Sequence, residues 1–490
     1  MLPAAVRLLL GVLLLTLAAP AWPAAERLWH RDLATAQGEA RRLAKPVFVY
    51  FDAAWCSWCH RYERQTLQAP EVRRALRRHA VPVRIDWDAR PDLVHRFGGR
   101  GLPFNVLLAP DGQVVRTFTG ILAPDDLIAL LRRPAAGQDE PAAPIHRPQS
   151  LDAAAYRAFR DAFLAHLDRL YDPALGTLAG RFATGTGLKR PQPRTWLWLA
   201  DNGLWPERRP RAARADAGRL LDRLDGGFFY YVDPHRPDSH LETAKLLEPN
   251  AWLAAWLAAT PGQPRLAAQS GWFFLNGVLR SPAGGFWRAQ VADADYYARP
   301  VAQRLRRSPP AVQRLKLAGA NAEAALALLR VGRRLDRPQA AAAARSALDF
   351  VLDRMWRPGR LHRSWRPSGP AGPELPGDLL RVLVAGAAVQ ATAPDPQRAT
   401  RLGRVADKAA AWLAGRMAVS PPPSLRPELA GWAARACGLR ARYPQLPDGC
   451  QGWALRRLAL EAETRPDWLV PGLRAWRQRL DRQTAATPLR

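Results

Sequence analysis

The stretch that decides the fold is residues 47–60, which run VFVYFDAAWCSWCH. Residues 47–51 form an unbroken apolar run of strand length, and the residues after them open a polar segment of helical character. Cys56 and Cys59 stand three apart, where the predicted strand gives way to the predicted helix. The free N–H groups at a helix start favour a thiolate, which is the nucleophile in disulfide exchange. The stretch therefore predicts a redox-active cysteine pair.

The two cysteines have different predicted roles. Cys56 attacks a substrate disulfide, and Cys59, one helical turn further on and less exposed, resolves the mixed disulfide. His60 lies four residues after Cys56 on the same helix face, where a positive charge would favour the thiolate. An inert structural disulfide is one alternative. A metal site is another, but it needs two further ligands and none stands nearby in the sequence, so no metal and no cofactor is predicted.

The elements around the pair are predicted in the order helix, strand, helix, strand, strand, strand, helix, between about residues 33 and 132. Asp111-Gly112 is a strong hairpin signal between the last two strands. Pro70 interrupts the helix that the cysteines open. The predicted strands are 47–51, 81–86, 104–109 and 113–118, and the closing helix is 124–132.

This element order resembles that of thioredoxin. The motifs that carry the resemblance are the segment from Trp55 to Cys59, the tripeptide Gly101-Leu102-Pro103 and the Asp-Gly hairpin. The resemblance implies an α/β thioredoxin-like fold with a cis peptide bond before Pro103. It also implies that Leu102 and Pro103 form a platform for an extended substrate chain. Trp55 and Trp58 are expected to supply an apolar surface around the sulfur.

One position departs from the thioredoxin pattern. Thioredoxins usually place a buried aspartate six residues before the first cysteine, and this chain has Tyr50 there. Asp52 and Glu63 are the nearest carboxylates that could replace it as proton acceptor for the resolving thiol. For both, a solvated surface carboxylate is the alternative.

The remainder of the chain is predicted to be helical. Residues 134–150 are rich in proline, alanine and glycine, which indicates a linker between residues 26–133 and 151–490. Gly-aromatic loops recur between helix pairs, at 225–230 and 283–287, with a weaker third at 358–362. Helical hairpins alternating with such loops favour a ring or an array, and an α/α toroid is the predicted architecture. The helical segments are 154–170, 250–259, 318–331, 340–355, 379–391 and 406–417.

The domain order and several motifs resemble the family of spermatogenesis-associated protein 20, a thioredoxin-like domain joined to a six-hairpin α/α toroid. The resemblance covers roughly residues 27 to 420. Its motifs are Trp-Cys-x-Trp-Cys-His at 55–60, Arg-Pro-Asp-Leu at 90–93, and Gly-Gly-Phe at 226–228 and 284–286, the last running on to Ala292-Asp293.

A further family motif, His-Phe-Glu-Lys-Met-Leu-Tyr-Asp-Asn-Ala, aligns in two ways. Without a gap, Glu242 takes the place of the family histidine, while Lys245 and Asn250 are kept. With a gap, His240 and Glu242 are kept instead. Together with Asp293 these residues lie near the Gly-aromatic loops, where a carboxylate pair at the mouth of a ring could perform acid–base chemistry or bind a carbohydrate. Surface charges and helix caps are the alternatives, also for Asp233, His235 and Asp295.

The N-terminus predicts export. Arg7 precedes the apolar run 8–17, and 19–21 offers a small-x-small cleavage site, so residues 1–25 are assigned as a signal peptide, with an uncleaved anchor as the alternative. No second stretch of about 18 apolar residues follows, so no integral membrane segment is predicted after cleavage. In the periplasm disulfides persist, and Cys437 and Cys450 are expected to form a structural one, with free buried thiols as the alternative.

The net charge of +29 is explained by composition. Only five lysines occur, so arginine carries nearly all of the positive charge. Alanine and proline are abundant as well, which indicates a compositional bias of the whole chain. No basic run is interleaved with base-stacking aromatics, and no nucleic-acid partner is expected.

These features predict an exported thiol–disulfide oxidoreductase whose helical toroid binds the substrate or partner, a protein that bears a disulfide or thiol. One alternative is a carbohydrate-active or carbohydrate-binding toroid with the thioredoxin-like domain as scaffold. Another is a non-catalytic envelope protein that holds partners.

Overall fold

The structure is a computed structural model that describes residues 28–133, 148, 150–171, 178, 191–204, 217–232, 241–260, 264–420, 425–458 and 466–486. The predicted signal peptide, nearly all of the predicted linker, and Asp233, His235 and His240 lie outside these residues. The chain divides into two compact units. Of the described residues, the first comprises 28–53, 58–87 and 93–133, and the second comprises 54–57, 88–92 and those from 148 onward.

The first unit is built on a four-stranded sheet in the order β2-β1-β3-β4. β1 runs parallel to β2, with Val47 opposite Val81, and antiparallel to β3, with Val47 opposite Leu108. All six residues of β1 are buried, as expected for a central strand covered on both faces. The strands are β1 Val47–Asp52, β2 Val81–Asp86, β3 Phe104–Leu108 and β4 Val114–Thr119.

Helices cover both faces of this sheet. Alternate residues of β1 enter two separate cores, Val49 and Phe51 on one face and Phe48 and Tyr50 on the other. Residues 91–96, predicted as part of a loop, form a short helix whose first residue is Pro91. The helices are α1 Leu33–Leu43, α2 Ser57–Tyr62, α3 Pro70–His79, α4 Pro91–Arg96 and α5 Pro124–Arg132, with a π-helical turn Glu63–Leu67 after α2.

The second unit consists mainly of helices in two concentric layers. Its longer helices are α6 Ala153–Leu170, α7 Pro193–Asp201, α8 Leu247–Ala258, α9 Pro264–Phe274, α12 Ala318–Leu335, α13 Pro338–Arg354, α14 Pro376–Thr392, α15 Pro396–Met417, α16 Pro427–Cys437, α17 Cys450–Arg456 and α18 Val470–Ala486. Short helices α10 Ala294–Tyr297 and α11 Val301–Arg304 lie between α9 and α12. Its short strands are β5 Tyr231–Val232, β6 Leu241–Glu242, β7 Lys245–Leu246, β8 Ala289–Gln290, β9 Val312–Gln313, β10 Lys316–Leu317, β11 Ser364–Arg366 and β12 Gly369–Ala371.

The inner helices pack side by side in the order α7, α8, α12, α14, α16, α18, and α18 returns to α7. Each of α8, α12, α14 and α16 also packs against the helix that follows it, which places α9, α13, α15 and α17 in the outer layer. Small residues permit the closest approach: a side chain at Gly431 would meet the backbone nitrogen of Gly472 at 2.8 Å. The helices of this unit therefore form a closed ring of hairpins.

Each of the Gly-Gly-Phe loops at 226–228 and 284–286 is held by a lysine and by an asparagine that lies five residues after the lysine. The Lys245 ammonium donates to the Gly226 carbonyl at 2.7 Å, and Asn250 bonds both the N–H and the carbonyl of Phe228, at 2.6 and 2.9 Å. Both loop glycines, at 226 and 227, have positive φ, which favours glycine there. The next hairpin repeats this arrangement. The Lys316 ammonium donates to the Gly284 carbonyl at 2.5 Å, and Asn321 bonds the N–H and the carbonyl of Phe286 at 2.7 and 3.1 Å.

Cys437 and Cys450 form a disulfide at the C-terminal side of the ring, with their Cα atoms 5.8 Å apart. Both residues are buried. Among the described residues, no helix is both long and apolar enough to cross a membrane.

Removing this disulfide with Cys437→Ser and Cys450→Ser is expected to lower the free energy of unfolding by about 3 kcal/mol, because a bridge across a loop of this length restricts the unfolded chain. Urea denaturation of the double variant and the unchanged protein measures the difference. Equal midpoints and slopes would show that the bridge adds no stability.

Candidate functional site

Cys56 directly precedes α2, whose first residue is Ser57, and β1 ends four residues earlier at Asp52. All four cysteines of the chain are disulfide-bonded. Since Cys437 pairs with Cys450, the other bond joins Cys56 and Cys59. Cys56 is 2% exposed and Cys59 0% exposed, so both cysteines are buried.

Tyr50 occupies the position of the usual buried acid and is itself buried. Its hydroxyl donates to the Cys59 carbonyl and to a Glu63 carboxylate oxygen, both at 3.4 Å, and burial raises the pKa of Tyr50. Asp52 and Glu63 both bind the Arg84 guanidinium. Both carboxylates are thus engaged by the same cation, and their substitution for the missing acid stays a prediction.

Pro103, Leu102, His60 and Trp58 are other residues that were predicted for the redox site. The Leu102–Pro103 peptide bond is cis, and the Pro103 carbonyl accepts a hydrogen bond from Gly120 N–H at 2.8 Å. Pro103 is buried, and Leu102 is partly buried against a core of the first unit. His60 is partly exposed on α2, and Trp58 has the Arg61 guanidinium 5.4 Å from its ring centre.

Within the second unit, Trp55 is fixed at both its ring and its backbone. Its indole N–H donates to Asp88 at 2.8 Å, and its carbonyl accepts from Ala292 N–H at 3.3 Å. Its ring meets the edge of Tyr230 at a centroid distance of 5.4 Å. Arg288 donates to the same Asp88 carboxylate at 2.9 Å. The tryptophan before the first cysteine is thus a structural anchor, with only 6% of its surface exposed.

Glu242 contacts Ser57, the first of the two residues between the cysteines. Its Oε2 atom accepts from the Ser57 hydroxyl at 2.6 Å and from the Ser57 backbone N–H at 3.3 Å. Its Oε1 atom accepts from Ala244 N–H at 3.3 Å. The residue is 1% exposed, and burial raises its pKa to about 7 against the effect of these hydrogen bonds. Sequence reasoning selected Glu242 but assigned it to a different site, because no local pattern signals a contact between residues 185 positions apart.

The other described residues of the predicted toroid site have structural contacts. Lys245 and Asn250 hold the first Gly-Gly-Phe loop, and Lys245 also pairs with Asp222 at 2.7 Å. The Asp293 carboxylate caps α10 by accepting from Tyr296 N–H at 2.8 Å. The prediction that these residues line a carbohydrate cavity is therefore not supported for Glu242, Lys245, Asn250 and Asp293, and for His240 it lies outside the described residues.

A network of ion pairs joins the inner helices of the ring. Glu323 accepts from Arg194 at 2.9 Å and Arg381 at 2.8 Å, and Arg381 also binds Glu428 at 2.7 Å. A cavity of about 20 Å³ remains beside them, which is room for about one water molecule. Its polar and aromatic lining consists of Arg194, Trp252, Trp432, Arg435 and Arg474. Among the residues described, no group of three or more histidines, cysteines or carboxylates is arranged to hold a metal ion.

The sheet topology and the cysteine pair after β1 define the first unit as a thioredoxin-like domain, and the closed ring of paired helices defines the second as an α/α toroid. A thioredoxin-like family model matches residues 28–110. Over 93 residues the chain is 32% identical to Spermatogenesis-associated protein 20 of Homo sapiens and 30% identical to that of Mus musculus. The chain is thus homologous to spermatogenesis-associated protein 20 over this segment, which spans 12% of the length of those proteins and 17% of this chain.

Solved structures match the toroid as a fold. Cellobiose 2-epimerase from Spirochaeta thermophila DSM 6192 aligns with a TM-score of 0.50 at 16% identity, and D-mannose isomerase with 0.51 at 10% identity. Each alignment covers 68% of this chain and 100% of the other. At such low identity the similarity establishes a shared architecture.

Proposed function

We propose that this protein is a thiol–disulfide oxidoreductase that acts through Cys56 and Cys59. The observation that carries the proposal is the disulfide-bonded pair directly after the central strand of a thioredoxin-like domain. Export to the periplasm by residues 1–25 belongs to the proposal, because partner proteins with persistent disulfides occur in that compartment. The toroid is assigned the binding of a partner protein.

In one direction the reaction moves two electrons from the reduced pair to a disulfide of the partner, and the reverse of the same steps oxidises a partner dithiol. The Cys56 thiolate attacks one partner sulfur, a mixed disulfide forms, and the other partner sulfur leaves as a thiolate that takes up a proton. The Cys59 thiol then loses its proton and attacks the Cys56 sulfur. This releases the second partner sulfur, which also takes up a proton, and leaves Cys56 and Cys59 oxidised.

Access to Cys56 requires movement of its surroundings, because 2% exposure leaves no room for a second chain. Ser57 is held by hydrogen bonds to Glu242, and Trp55 is held by a hydrogen bond to Asp88 and by ring contact with Tyr230. A partner that displaces these contacts gains access to the sulfur. The described residues that were predicted for a carbohydrate site, namely Glu242, Lys245, Asn250 and Asp293, make structural contacts instead, so they do not support a carbohydrate reaction.

Glutathione equilibration tests the proposal. The Cys56–Cys59 bond of the native protein is expected to exchange with glutathione mixtures, and Cys59→Ser is expected to accumulate a mixed disulfide at Cys56. Cys56→Ser is expected to lose exchange entirely, since it removes the nucleophile. Mass spectrometry of alkylated peptides reads each state, with the Cys437–Cys450 bond as internal control. A 56–59 bond that resists glutathione and dithiothreitol until the protein unfolds would identify an inert structural disulfide.

A further inference from the structure

We infer that Glu242 is a positioning residue of the redox site, which sets the protonation of Cys56 through the hydroxyl of Ser57. The inference rests on the proposed function of the cysteine pair and deepens it. The hydroxyl of Ser57 is the only side-chain group between the cysteines that both donates and accepts a hydrogen bond. Its bond to Glu242, at 2.6 Å, links the cysteine segment to a buried carboxyl group.

The surroundings of Glu242 leave its charge uncompensated. No arginine, lysine or histidine among the described residues lies within 4.0 Å of its oxygens. β5 places Tyr231 opposite Glu242, and the Tyr230 N–H donates to the Glu242 carbonyl at 3.1 Å. The nearest ionic groups on adjoining elements already have partners: Lys245 pairs with Asp222, and Arg288 pairs with Asp88 and Glu248. The charge state of Glu242 is therefore controlled by burial, which favours the neutral form, and by the hydrogen bonds from Ser57 and Ala244, which favour the charged form.

Glu242 acts next to the first cysteine, whereas the acid that is missing at position 50 would serve the resolving thiol. Tyr50 stands in place of that acid, and Arg84 holds Asp52 and Glu63 as ion pairs. Burial raises the pKa of Glu242 to about 7, so the group gains and loses a proton in the range where a thiol ionises. A negative charge on the Glu242 carboxylate disfavours the Cys56 thiolate, and the thiolate disfavours the carboxylate. The two groups therefore titrate as a coupled pair.

The coupling fixes the direction of the effect on the redox equilibrium. Ionised Glu242 disfavours the Cys56 thiolate, which belongs to the reduced form, and so favours the disulfide. Removing that charge stabilises the thiolate and makes the disulfide easier to reduce. Ser57→Ala acts in the same direction, because the loss of a stabilising hydrogen bond keeps Glu242 protonated to higher pH.

The test is the pH profile of Cys56 alkylation by iodoacetamide in the reduced full-length protein, measured on the Cys56 peptide by mass spectrometry. Glu242→Gln is expected to lower the midpoint of thiolate formation by about one pH unit and to shift the glutathione equilibrium about tenfold toward the reduced pair, which is about 30 mV. Ser57→Ala is expected to shift the thiolate midpoint and the glutathione equilibrium in the same direction. It tests the inference if Glu242→Gln fails to fold.

Asp467→Asn is the matched control. Asp467 is also a buried carboxylate that accepts from a backbone N–H and a hydroxyl of one residue, Thr195, at 2.7 and 2.8 Å. Asp467→Asn is expected to keep the wild-type pH midpoint of Cys56 thiolate formation. A shift shared by Asp467→Asn, Glu242→Gln and Ser57→Ala would overturn the inference. Unchanged midpoints in Glu242→Gln and Ser57→Ala, with normal glutathione exchange, would overturn it too. Absence of exchange in the wild-type protein would instead contradict the proposed function.

Discussion

Lys245→Met is expected to lower the free energy of unfolding by about 3 kcal/mol at pH 7, whereas Lys316→Met is expected to cost nothing or to stabilise the protein. The two lysines occupy equivalent places in successive hairpins, and both side chains are fully buried. Lys245 pairs with Asp222 at 2.7 Å, so its removal leaves a buried carboxylate with Arg304 as its remaining partner. A buried charge that loses a partner is destabilising.

Lys316 has no such partner. Among the described residues, no carboxylate lies within 4.0 Å of its ammonium, which faces the rings of Trp287, Phe350 and Trp365 at centroid distances of 4.6, 3.5 and 4.6 Å. Burial, with the Arg354 charge nearby, lowers the pKa of Lys316 to about 7. Methionine fills a similar volume and carries no charge that must be removed from water.

The sign of the pH dependence follows from this lowered pKa. The unfolded chain binds the proton of Lys316 up to a pKa near 10.5, whereas the folded protein releases it at about 7. Stability therefore rises with pH across this window. The wild-type protein should gain about 3 kcal/mol between pH 6 and pH 9 relative to Lys316→Met. Urea unfolding at the two pH values measures the difference, and parallel curves for both proteins would contradict the assignment.

Glu242→Gln is expected to stabilise the oxidised protein by about 3 kcal/mol at pH 8 while changing little at pH 4. The carboxyl group of Glu242 has a pKa of about 7 in the folded protein and 4.5 as its ordinary value. The folded protein therefore retains the proton that the unfolded chain releases. Stability conferred by the protonated group is present below pH 4.5 and is lost as the pH rises to 7.

Thermal and urea unfolding of the variant and the wild-type protein across pH 4–9 measures this effect, with both disulfides kept intact. Asp293→Asn serves as comparison, since Asp293 caps a helix and is only partly buried. A Glu242→Gln variant that is less stable than the wild-type protein at every pH would show that the carboxylate is stabilised by contacts stronger than those to Ser57 and Ala244.

The first unit was largely predictable because its signals are local. The apolar run at 47–51 gave β1 Val47–Asp52, and Asp111-Gly112 marked the turn between β3 and β4. Helix 124–132 has the predicted bounds. The short helix α4 was missed because six residues are too few to show a helical period.

The sites formed by distant residues were not predictable in the same way. Lys245 and Asn250 were selected by a family motif, but their task of holding a Gly-Gly-Phe loop appears only when residues 226–228 lie against them. Glu242 was selected for the same reason, and its bond to Ser57 depends on a contact that no periodicity encodes. Sequence patterns thus located the residues, whereas their chemistry depended on tertiary contacts.

Residues 54–57 take their partners from Asp88, Glu242 and Ala292, and two of these follow the predicted linker in the chain. Under the proposed function, the oxidation state of Cys56 is therefore linked to these contacts, which lie within the second unit. Linkage is reciprocal: to the extent that the contacts favour the oxidised form over the reduced form, oxidation of the pair favours the contacts.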